Sequence, residues 1–128
     1  MDTTDSTGAA TVLVADDDEL VRMVLTDMLK QLGFGVLAAS DSTEAVDLFK
    51  ANLSAIKLVI LDYKMPGQSG GETFDRLREA DPEVKVLLSS GHSDTIDLNE
   101  LRSRGLLGFL PKPYSLERIR DKIAEIVG

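Results

Sequence analysis

Hydrophobic and polar positions follow two different spacings along this chain of 128 residues. Short runs of consecutive apolar residues, rich in valine, leucine and isoleucine, are typical of strands buried on both faces of a sheet. Five such runs occur, at 11–15, 36–39, 58–61, 84–89 and 106–110. After four of the runs, apolar residues recur at intervals of three and four, which is typical of amphipathic helices, and after the fourth run this pattern is poor. The pattern therefore predicts a strand followed by a helix, five times over.

Local signals predict where these helices begin and end. The acids at 16–19, and Ser40 or Asp41, precede the first two helices, where side-chain oxygens accept hydrogen bonds from the first N–H groups. Ser115 starts the last helix, Gly33 and Gly105 fit helix ends, and the fourth helix is predicted over roughly 95–104. We expect the apolar helical positions to face the core. In the first helix these are Leu20, Val21, Val24, Leu25, Met28, Leu29 and Leu32, and in the last Leu116, Ile119, Ile123 and Ile126.

The alternation of strand and helix predicts an α/β fold, in which one doubly wound parallel sheet carries helices on both faces. Pro111 and Pro113 follow the fifth strand and place it at an edge of the sheet, because proline lacks the N–H donor that a central strand needs. The length suits one compact domain. We expect this domain at 11–128, after a disordered polar tail at 1–10.

Composition and charge restrict the possible partners. The formal net charge of −8 makes nucleic acid a poor partner, because binding phosphate backbones needs clustered lysine and arginine. The absence of cysteine and the single histidine exclude disulfides and metal sites built on cysteine or several histidines. No apolar run approaches the ~20 residues of a membrane span, and the start lacks the features of a signal peptide. We therefore expect a cytoplasmic protein without membrane contact.

Chemically active side chains follow four of the five predicted strands. In an open α/β sheet, ligands bind outside the carboxyl ends of the strands, so residues at these ends meet in one place. The third strand ends at a single acid and is followed by the turn Met65-Pro66-Gly67. The residues at the strand ends are Asp16 and Asp17 after the first strand, Asp62 after the third, Ser90 and Gly91 after the fourth, and Lys112 after the fifth.

This set of side chains suits phosphoryl transfer. Three crowded carboxylates repel one another unless a cation joins them, and ligation by oxygen alone suits Mg²⁺ or Mn²⁺. A carboxylate can also attack phosphorus and form an aspartyl-phosphate. The transferring group then needs positive charge from a metal and a lysine, while a hydroxyl donates to its oxygens and a glycine leaves space.

The chain resembles the response-regulator receiver domain of two-component signalling over roughly residues 11–127. The likeness rests on the acidic pair, on Asp62 with Met65-Pro66-Gly67 and Gly70, on Ser90-Gly91 and on Lys112-Pro113. It implies a flavodoxin-like (βα)5 fold with strand order 2-1-3-4-5. It also implies a Mg²⁺-dependent (or Mn²⁺-dependent) phosphoacceptor switch with self-phosphorylation and self-dephosphorylation chemistry, rather than a conventional enzyme. The implied partners are a sensor histidine kinase or histidine phosphotransfer protein, and a target protein recognised by helix 4, strand 5 and helix 5.

The resemblance also implies a role for each site residue. Asp62 is the phosphoacceptor, and it binds the metal together with the side chain of Asp17 and the backbone carbonyl of Lys64. Asp16 acts through a metal-bound water. The phosphoryl group is contacted by Lys64, Ser90, Gly91 and Lys112.

Further positions are implied to tune the switch. Ser90 and Phe109 change conformation on activation, and Lys64 and His92 set the rate at which the phosphoryl group hydrolyses. The bond between Lys112 and Pro113 is usually cis in this family. The chain departs from the common pattern by Ser90 for threonine, Gly91 for alanine, Asp18 for glutamate and a phenylalanine without a hydroxyl at 109.

Two other functions fit parts of the sequence. Asp16-Asp17-Asp18 resembles the Asp-x-Asp start of haloacid-dehalogenase-like phosphatases, but the downstream acids that such enzymes need are absent from residues 105–113. A receiver fold can also serve as an interaction module without phosphorylation, although the complete acidic set argues against this. Both a stand-alone regulator and one receiver of a longer chain, such as a hybrid kinase, fit the sequence.

Overall fold

Five parallel strands form one sheet in the computed structural model, which describes residues 10–65, 68–91 and 98–127. We number the strands of this sheet β1 to β5 and the helices α1 to α5. The strands are Thr11–Ala15, Gly35–Ala39, Ile56–Asp62, Val86–Ser90 and Gly108–Pro111. The helices are Glu19–Gln31, Ser42–Ala51, Gly70–Ala80, Leu98–Ser103 and Leu116–Val127. The order of the strands across the sheet is 2-1-3-4-5, so the predicted fold class, strand order and edge position of β5 are confirmed.

The helices cover both faces of the sheet, because side chains along each strand point alternately to opposite sides. One face packs against α2, α3 and α4, and the other packs against α1 and α5. The first core includes Leu13, Val59, Leu61 and Leu88 with Phe49, Phe74, Leu77 and Leu101. The second core includes Val14, Ile60, Leu87 and Leu110 with Leu25, Leu29, Ile119 and Ile123.

The helices begin at capping side chains and end at glycines where the sequence predicts. Asp18 Oδ1 accepts hydrogen bonds from the N–H groups of Leu20 and Val21 at 3.0 and 3.2 Å, and Asp41 caps α2. The chain turns after α1 at Gly33 and after α4 at Gly105, whose φ angles of 95° and 109° favour glycine. None of the described helices combines the length and the apolar character that crossing a bilayer requires.

Three predicted core positions were wrong. Leu20 is 69% exposed and Val24 is 41% exposed, because α1 reaches the second core only further along, at Leu25 and Leu29. Leu116 is 37% exposed, since the contact of α5 with the sheet begins one turn later. Periodicity thus identifies the apolar stripe of a helix, but it does not show how much of that stripe the rest of the fold covers.

Several element bounds also differ from the prediction. β4 begins at Val86 and β5 at Gly108, each two residues later than expected, because the apolar runs extend into the loops before the paired residues. A two-stranded antiparallel ribbon joins Lys64–Met65 to Gln68–Ser69; each segment has only two residues and leaves no pattern in the sequence. Residues 1–9, 66–67 and 92–97, which include most of the predicted tail and His92, lie outside the described residues.

Gly70, the first residue of α3, packs directly against the segment that follows β3. Its N–H group donates to Tyr63 O at 2.7 Å, and a Cβ added here would lie 2.8 Å from Tyr63 Cα and 2.9 Å from Leu88 Cδ1. Because backbone atoms cannot move aside cheaply, we expect Gly70→Ala to lower the free energy of unfolding by about 1–3 kcal/mol. Urea denaturation followed by circular dichroism measures this change.

Gly71 supplies the matched control for this prediction. A Cβ at Gly71 would meet its nearest neighbours, on Arg104 and Leu101, at 3.5 Å, which is ordinary van der Waals contact. Alanine is favoured over glycine within a helix by about 0.5–1 kcal/mol, so Gly71→Ala should be neutral or stabilising. Equal unfolding midpoints for the two variants would contradict the packing argument.

Candidate functional site

The candidate site lies at the carboxyl edge of the sheet, around the end of the central strand. Asp62 is the last residue of β3, which lies between β1 and β4. Asp16 directly follows β1, and Lys112 directly follows β5. The parallel arrangement therefore brings residues that are far apart in sequence to one edge, where α/β sheets bind ligands.

Three carboxylates form a compact group at this edge. One oxygen from each of Asp16, Asp17 and Asp62 lies within 4.8 Å of the others. Asp16 and Asp62 are 2% and 5% exposed, whereas Asp17 faces solvent. The loop that carries the first two acids is held in place, because Asp16 Oδ1 accepts from the N–H of Asp18 at 2.9 Å and Asp16 O accepts from Arg22 Nη1 at 2.7 Å.

Lys112 joins the two buried acids. Its Nζ lies 3.1 Å from Asp62 Oδ1, to which it donates a hydrogen bond, and 3.1 Å from Asp16 Oδ2. The backbone N–H of Lys112 donates to Ser90 O at 3.0 Å, which keeps this segment next to β4. The peptide bond between Lys112 and Pro113 is cis, as the resemblance to receiver domains implies.

The site perturbs the protonation of its own groups. Burial, reinforced by the neighbouring Asp16 carboxylate, raises the pKa of Asp62 from 3.8 to about 6, although Lys112 acts in the opposite direction. For Lys112, burial acts to lower the pKa, but the carboxylates of Asp16 and Asp62 outweigh it and hold the pKa above its usual range. The ammonium group therefore stays charged while it faces the acids.

The carboxylate group fits a divalent cation. Asp16 Oδ2 is buried and forms an ion pair with Lys112 Nζ at 3.1 Å. Three carboxylates face one ammonium group here, so the formal charge of these four side chains is −2 when all are ionised. Clustered carboxylate oxygens are the ligands that Mg²⁺ prefers. A bound Mg²⁺ would offset the double negative charge that Lys112 leaves on these carboxylates.

The other predicted site residues differ in burial and in whether they face the three carboxylates. Ser90 is the buried last residue of β4, and a Cβ added at Gly91 would meet none of the described residues within 4 Å. Lys64 is exposed in the ribbon after β3. Phe109 is half-buried on β5 and lines a groove of about 330 Å³ with residues of α5 rather than the carboxylate group.

Sequence reasoning missed two residues next to the site. Ser89 pairs in register with Asp62, and its hydroxyl shares a hydrogen bond with the hydroxyl of Tyr114. The register between β3 and β4 could have identified Ser89, because partners on neighbouring strands project from the same face. The contact with Tyr114 depends on the path of the chain after Lys112, which no pattern in the sequence indicates.

Comparison with known proteins agrees with this geometry. The family model for the response regulator receiver domain matches residues 12–124. Sensor kinase CckA of Brucella abortus (strain 2308) is 31% identical over 124 residues, which are 97% of this chain and 13% of that protein. A receiver domain protein from Clostridium thermocellum superposes with a TM-score of 0.86 at 30% identity, over 92% of this chain and 94% of that one. The receiver domain of the hybrid histidine kinase CckA gives a TM-score of 0.77 at 26% identity, over 93% and 100%.

The chain belongs to the response regulator receiver domain family of two-component signalling. The predicted family, fold and general function are therefore confirmed. Receiver domains act as signalling switches that bind Mg²⁺ through an acidic pocket, and relatives of this chain include sensor kinases. Membership of this family favours the receiver over the haloacid-dehalogenase-like phosphatase. The chain spans only 13% of the length of sensor kinases such as CckA and LuxN.

Proposed function

We propose that residues 11–128 form a cytoplasmic receiver domain that accepts a phosphoryl group from a phosphohistidine onto Asp62 in a Mg²⁺-dependent step. The observation that supports this most directly is the placement of one buried carboxylate, Asp62, at 3.1 Å from Lys112 Nζ and beside two further acids. A nucleophile, a fixed positive charge and a cluster of hard oxygen ligands are the groups that phosphoryl transfer to a carboxylate requires.

The metal would be held by the side chains of Asp17 and Asp62 and by the backbone carbonyl of Lys64, with Asp16 acting through a bridging water. When bound, Mg²⁺ supplies positive charge that offsets the charge of the transferring group. This assignment fits the charge of the group, because Lys112 offsets only one of the three carboxylates.

In the transfer step, a carboxylate oxygen of Asp62 attacks phosphorus, the P–N bond of the phosphohistidine breaks, and the imidazole leaves. Lys112 donates to a phosphoryl oxygen, and the hydroxyl of Ser90 donates to another. Gly91 leaves room for the group, because it has no side chain and a Cβ there would meet none of the described residues within 4 Å. Hydrolysis later returns Asp62 to its carboxylate, at a rate that Lys64 and His92 tune.

The phosphoryl group then changes the surface of the domain. It adds a charge of about −1.5 to −2 and three acceptor oxygens at a buried position. Ser90 and the loop after β4 move toward it, and Phe109 turns inward from its half-buried position. The surface formed by α4, β5 and α5 changes as a result, and a target protein recognises the altered surface. The two states are related by a shift in population.

An apolar pocket beside Lys112 supports a protein, rather than a small molecule, as the phosphodonor. Its volume is about 450 Å³, and its lining is almost entirely apolar despite its position next to the charged site. The large apolar side chains that the start of α1 exposes form one wall of this pocket. The pocket is lined by Leu20, Val21, Val24, Gly91, Lys112, Pro113 and Tyr114. A sensor histidine kinase or histidine phosphotransfer protein would dock here and bring its phosphohistidine to Asp62.

Incubation with Mg²⁺ and the small phosphodonor acetyl phosphate tests the proposal. We expect intact-mass spectrometry to show one added phosphoryl group, and peptide mapping to place it on Asp62. Asp62→Asn should show no gain, whereas Asp47→Asn, which alters an exposed carboxylate on α2, should match the wild type. Mg²⁺ binding without any mass gain would instead support an interaction module. Hydrolysis of a phosphate ester by Asp62→Asn but not by Asp16→Asn would support the haloacid-dehalogenase-like phosphatase.

A further inference from the structure

Ser89 and Tyr114 form a polar pair within the second core, next to the carboxylate group. Ser89 is buried and pairs in register with Asp62 between β3 and β4, so both side chains project from the same face of the sheet. The hydroxyl of Ser89 shares a hydrogen bond with the phenolic hydroxyl of Tyr114, whose ring packs against this core.

This pair connects the two segments that carry Asp62 and Lys112. On one side, Ser89 O accepts a hydrogen bond at 2.8 Å from the N–H of Tyr63, the residue after Asp62. On the other side, Tyr114 follows Lys112 by two residues, across the cis bond to Pro113. One serine therefore fixes the backbone beside the acid through its carbonyl and the chain beyond the lysine through its hydroxyl.

The pair is costly to break at either end. A buried hydroxyl that loses its partner costs about 1–3 kcal/mol, so each hydroxyl is accommodated here because the other is present. Burial raises the pKa of Tyr114 to about 12, so its hydroxyl stays protonated and able to donate. The two hydroxyls thus form one unit in an otherwise apolar layer formed by Val14, Ile60, Leu87 and Leu110.

We propose that the hydrogen bond between Ser89 and Tyr114 holds the ammonium group of Lys112 in its place between Asp16 and Asp62. Within the described part of the chain, neither side chain forms a hydrogen bond with Asp62 or with the ammonium group of Lys112, so both are positioning residues. The side chain of Lys112 reaches two carboxylates at 3.1 Å from a segment that follows an edge strand. Besides its backbone hydrogen bond to Ser90, the tether through Tyr114 limits how far this segment moves from the sheet. The effect on reaction rate rests on the proposed phosphoryl transfer, whereas the placement of the lysine does not.

Tyr114→Phe tests the hydroxyl alone, because the ring that packs in the core is kept. Ser89→Ala removes the other partner, and the double variant removes both without leaving a buried hydroxyl unpaired. Tyr63→Phe is the matched control, since Tyr63 is the other of the two tyrosines in the chain and packs on the opposite face of the sheet. Acetyl phosphate is the phosphodonor, so that docking of a protein does not influence the rate.

We expect each single variant to take up the phosphoryl group about tenfold more slowly at saturating Mg²⁺, because small displacements of a charged group are costly in transfer reactions. The double variant should be no slower than the single ones, because the two residues act as a unit. Tyr63→Phe should match the wild type. Wild-type rates in Tyr114→Phe, or losses that multiply in the double variant, would overturn the proposal.

A second readout follows the lysine directly and without any reaction. Proton-detected ¹⁵N NMR observes the ammonium group of a lysine when ion pairing slows the exchange of its protons. We expect the Lys112 signal to weaken in Tyr114→Phe and Ser89→Ala and to persist in Tyr63→Phe, at temperatures where circular dichroism shows each variant folded. An unchanged Lys112 signal would overturn the positioning role, even if stability fell. Absence of uptake by the wild type would refute the proposed function, and the NMR comparison would still decide the placement of the lysine.

Discussion

Asp62→Asn is expected to unfold at a higher temperature than the wild type at neutral pH without divalent cations. The buried carboxylate has a pKa of about 6 in the folded protein against 3.8 in an exposed chain, with burial as the largest cause and Asp16 the next. Ionising it therefore costs more in the folded state than in the unfolded state. The pKa of about 6 already includes the opposing effect of Lys112, so at about 1.4 kcal/mol for each pKa unit we expect a net gain of about 2–3 kcal/mol.

The gain should depend on pH in one direction. Because the folded state binds this proton more tightly, the carboxylate lowers stability as pH rises from its unfolded pKa of 3.8 through its folded pKa of about 6. Asparagine carries no charge at any pH and has no such cost. The difference between the variant and the wild type should thus be small near pH 4 and reach its full size only above about pH 7.

Thermal unfolding at a series of pH values measures this difference. About 2–3 kcal/mol corresponds to a shift of roughly 5–10 °C for a domain of this size. Asp47→Asn, at an exposed acid, should stay within about 0.5 kcal/mol of the wild type. Mg²⁺ should narrow the gap, because a ligand that binds the folded wild type stabilises it by mass action. A lower melting temperature for Asp62→Asn at pH 8 without metal would refute the argument.

Such a result would show that the site is maintained at the expense of stability. Two acids are buried side by side, and a single ammonium group lies 3.1 Å from both. A core optimised for stability alone would replace them with neutral groups. This loss of stability is reasonable in a switch, because the free energy recovered when a cation or phosphoryl group binds can change the conformation.

The sequence predicts the fold well because its strands are buried on both faces. In a small domain, an apolar run such as Leu58–Leu61 is buried from water on both sides only inside a sheet that helices cover. Because the runs alternate with helices, the strands of this sheet are parallel. The extent of each element is less predictable. Leu20 and Val24 belong to an apolar stripe like the rest of α1, yet they are exposed, because burial depends on neighbours that periodicity does not describe.

For the site, the sequence predicts which residues meet but not how they are held. Asp16, Asp62 and Lys112 meet because parallel strands place their carboxyl ends at one edge. The ribbon after β3 and the pair of Ser89 and Tyr114 depend on contacts between side chains from distant segments. From the sequence alone, Ser89 and Tyr114 resemble ordinary surface residues. Only the register of β3 and β4 shows that Ser89 lies beside Asp62.

Lys112→Met should produce the largest combined loss of stability and activity. Methionine keeps most of the aliphatic chain and removes the ammonium group, so the buried carboxylates of Asp16 and Asp62 lose the cation that lies 3.1 Å from each. Removing one partner from a buried ion pair costs about 3–5 kcal/mol. We expect about 3 kcal/mol here without metal, because the nearby exposed Asp17 shows that water reaches one side of the group.

In Lys112→Met, the rate of phosphoryl uptake should also fall, by about 100- to 1000-fold, since the lysine places a charged donor where negative charge develops during transfer. Lys122→Met is the matched control, because that side chain is about as exposed and forms only a long ion pair, at 3.9 Å, with Glu125. Mg²⁺ should recover much of the stability of Lys112→Met by binding the unpaired carboxylates, but little of the uptake, because the phosphoryl group still lacks its donor. If Mg²⁺ restored both, the lysine would serve only to hold the acids together, and its proposed part in the transfer would be wrong.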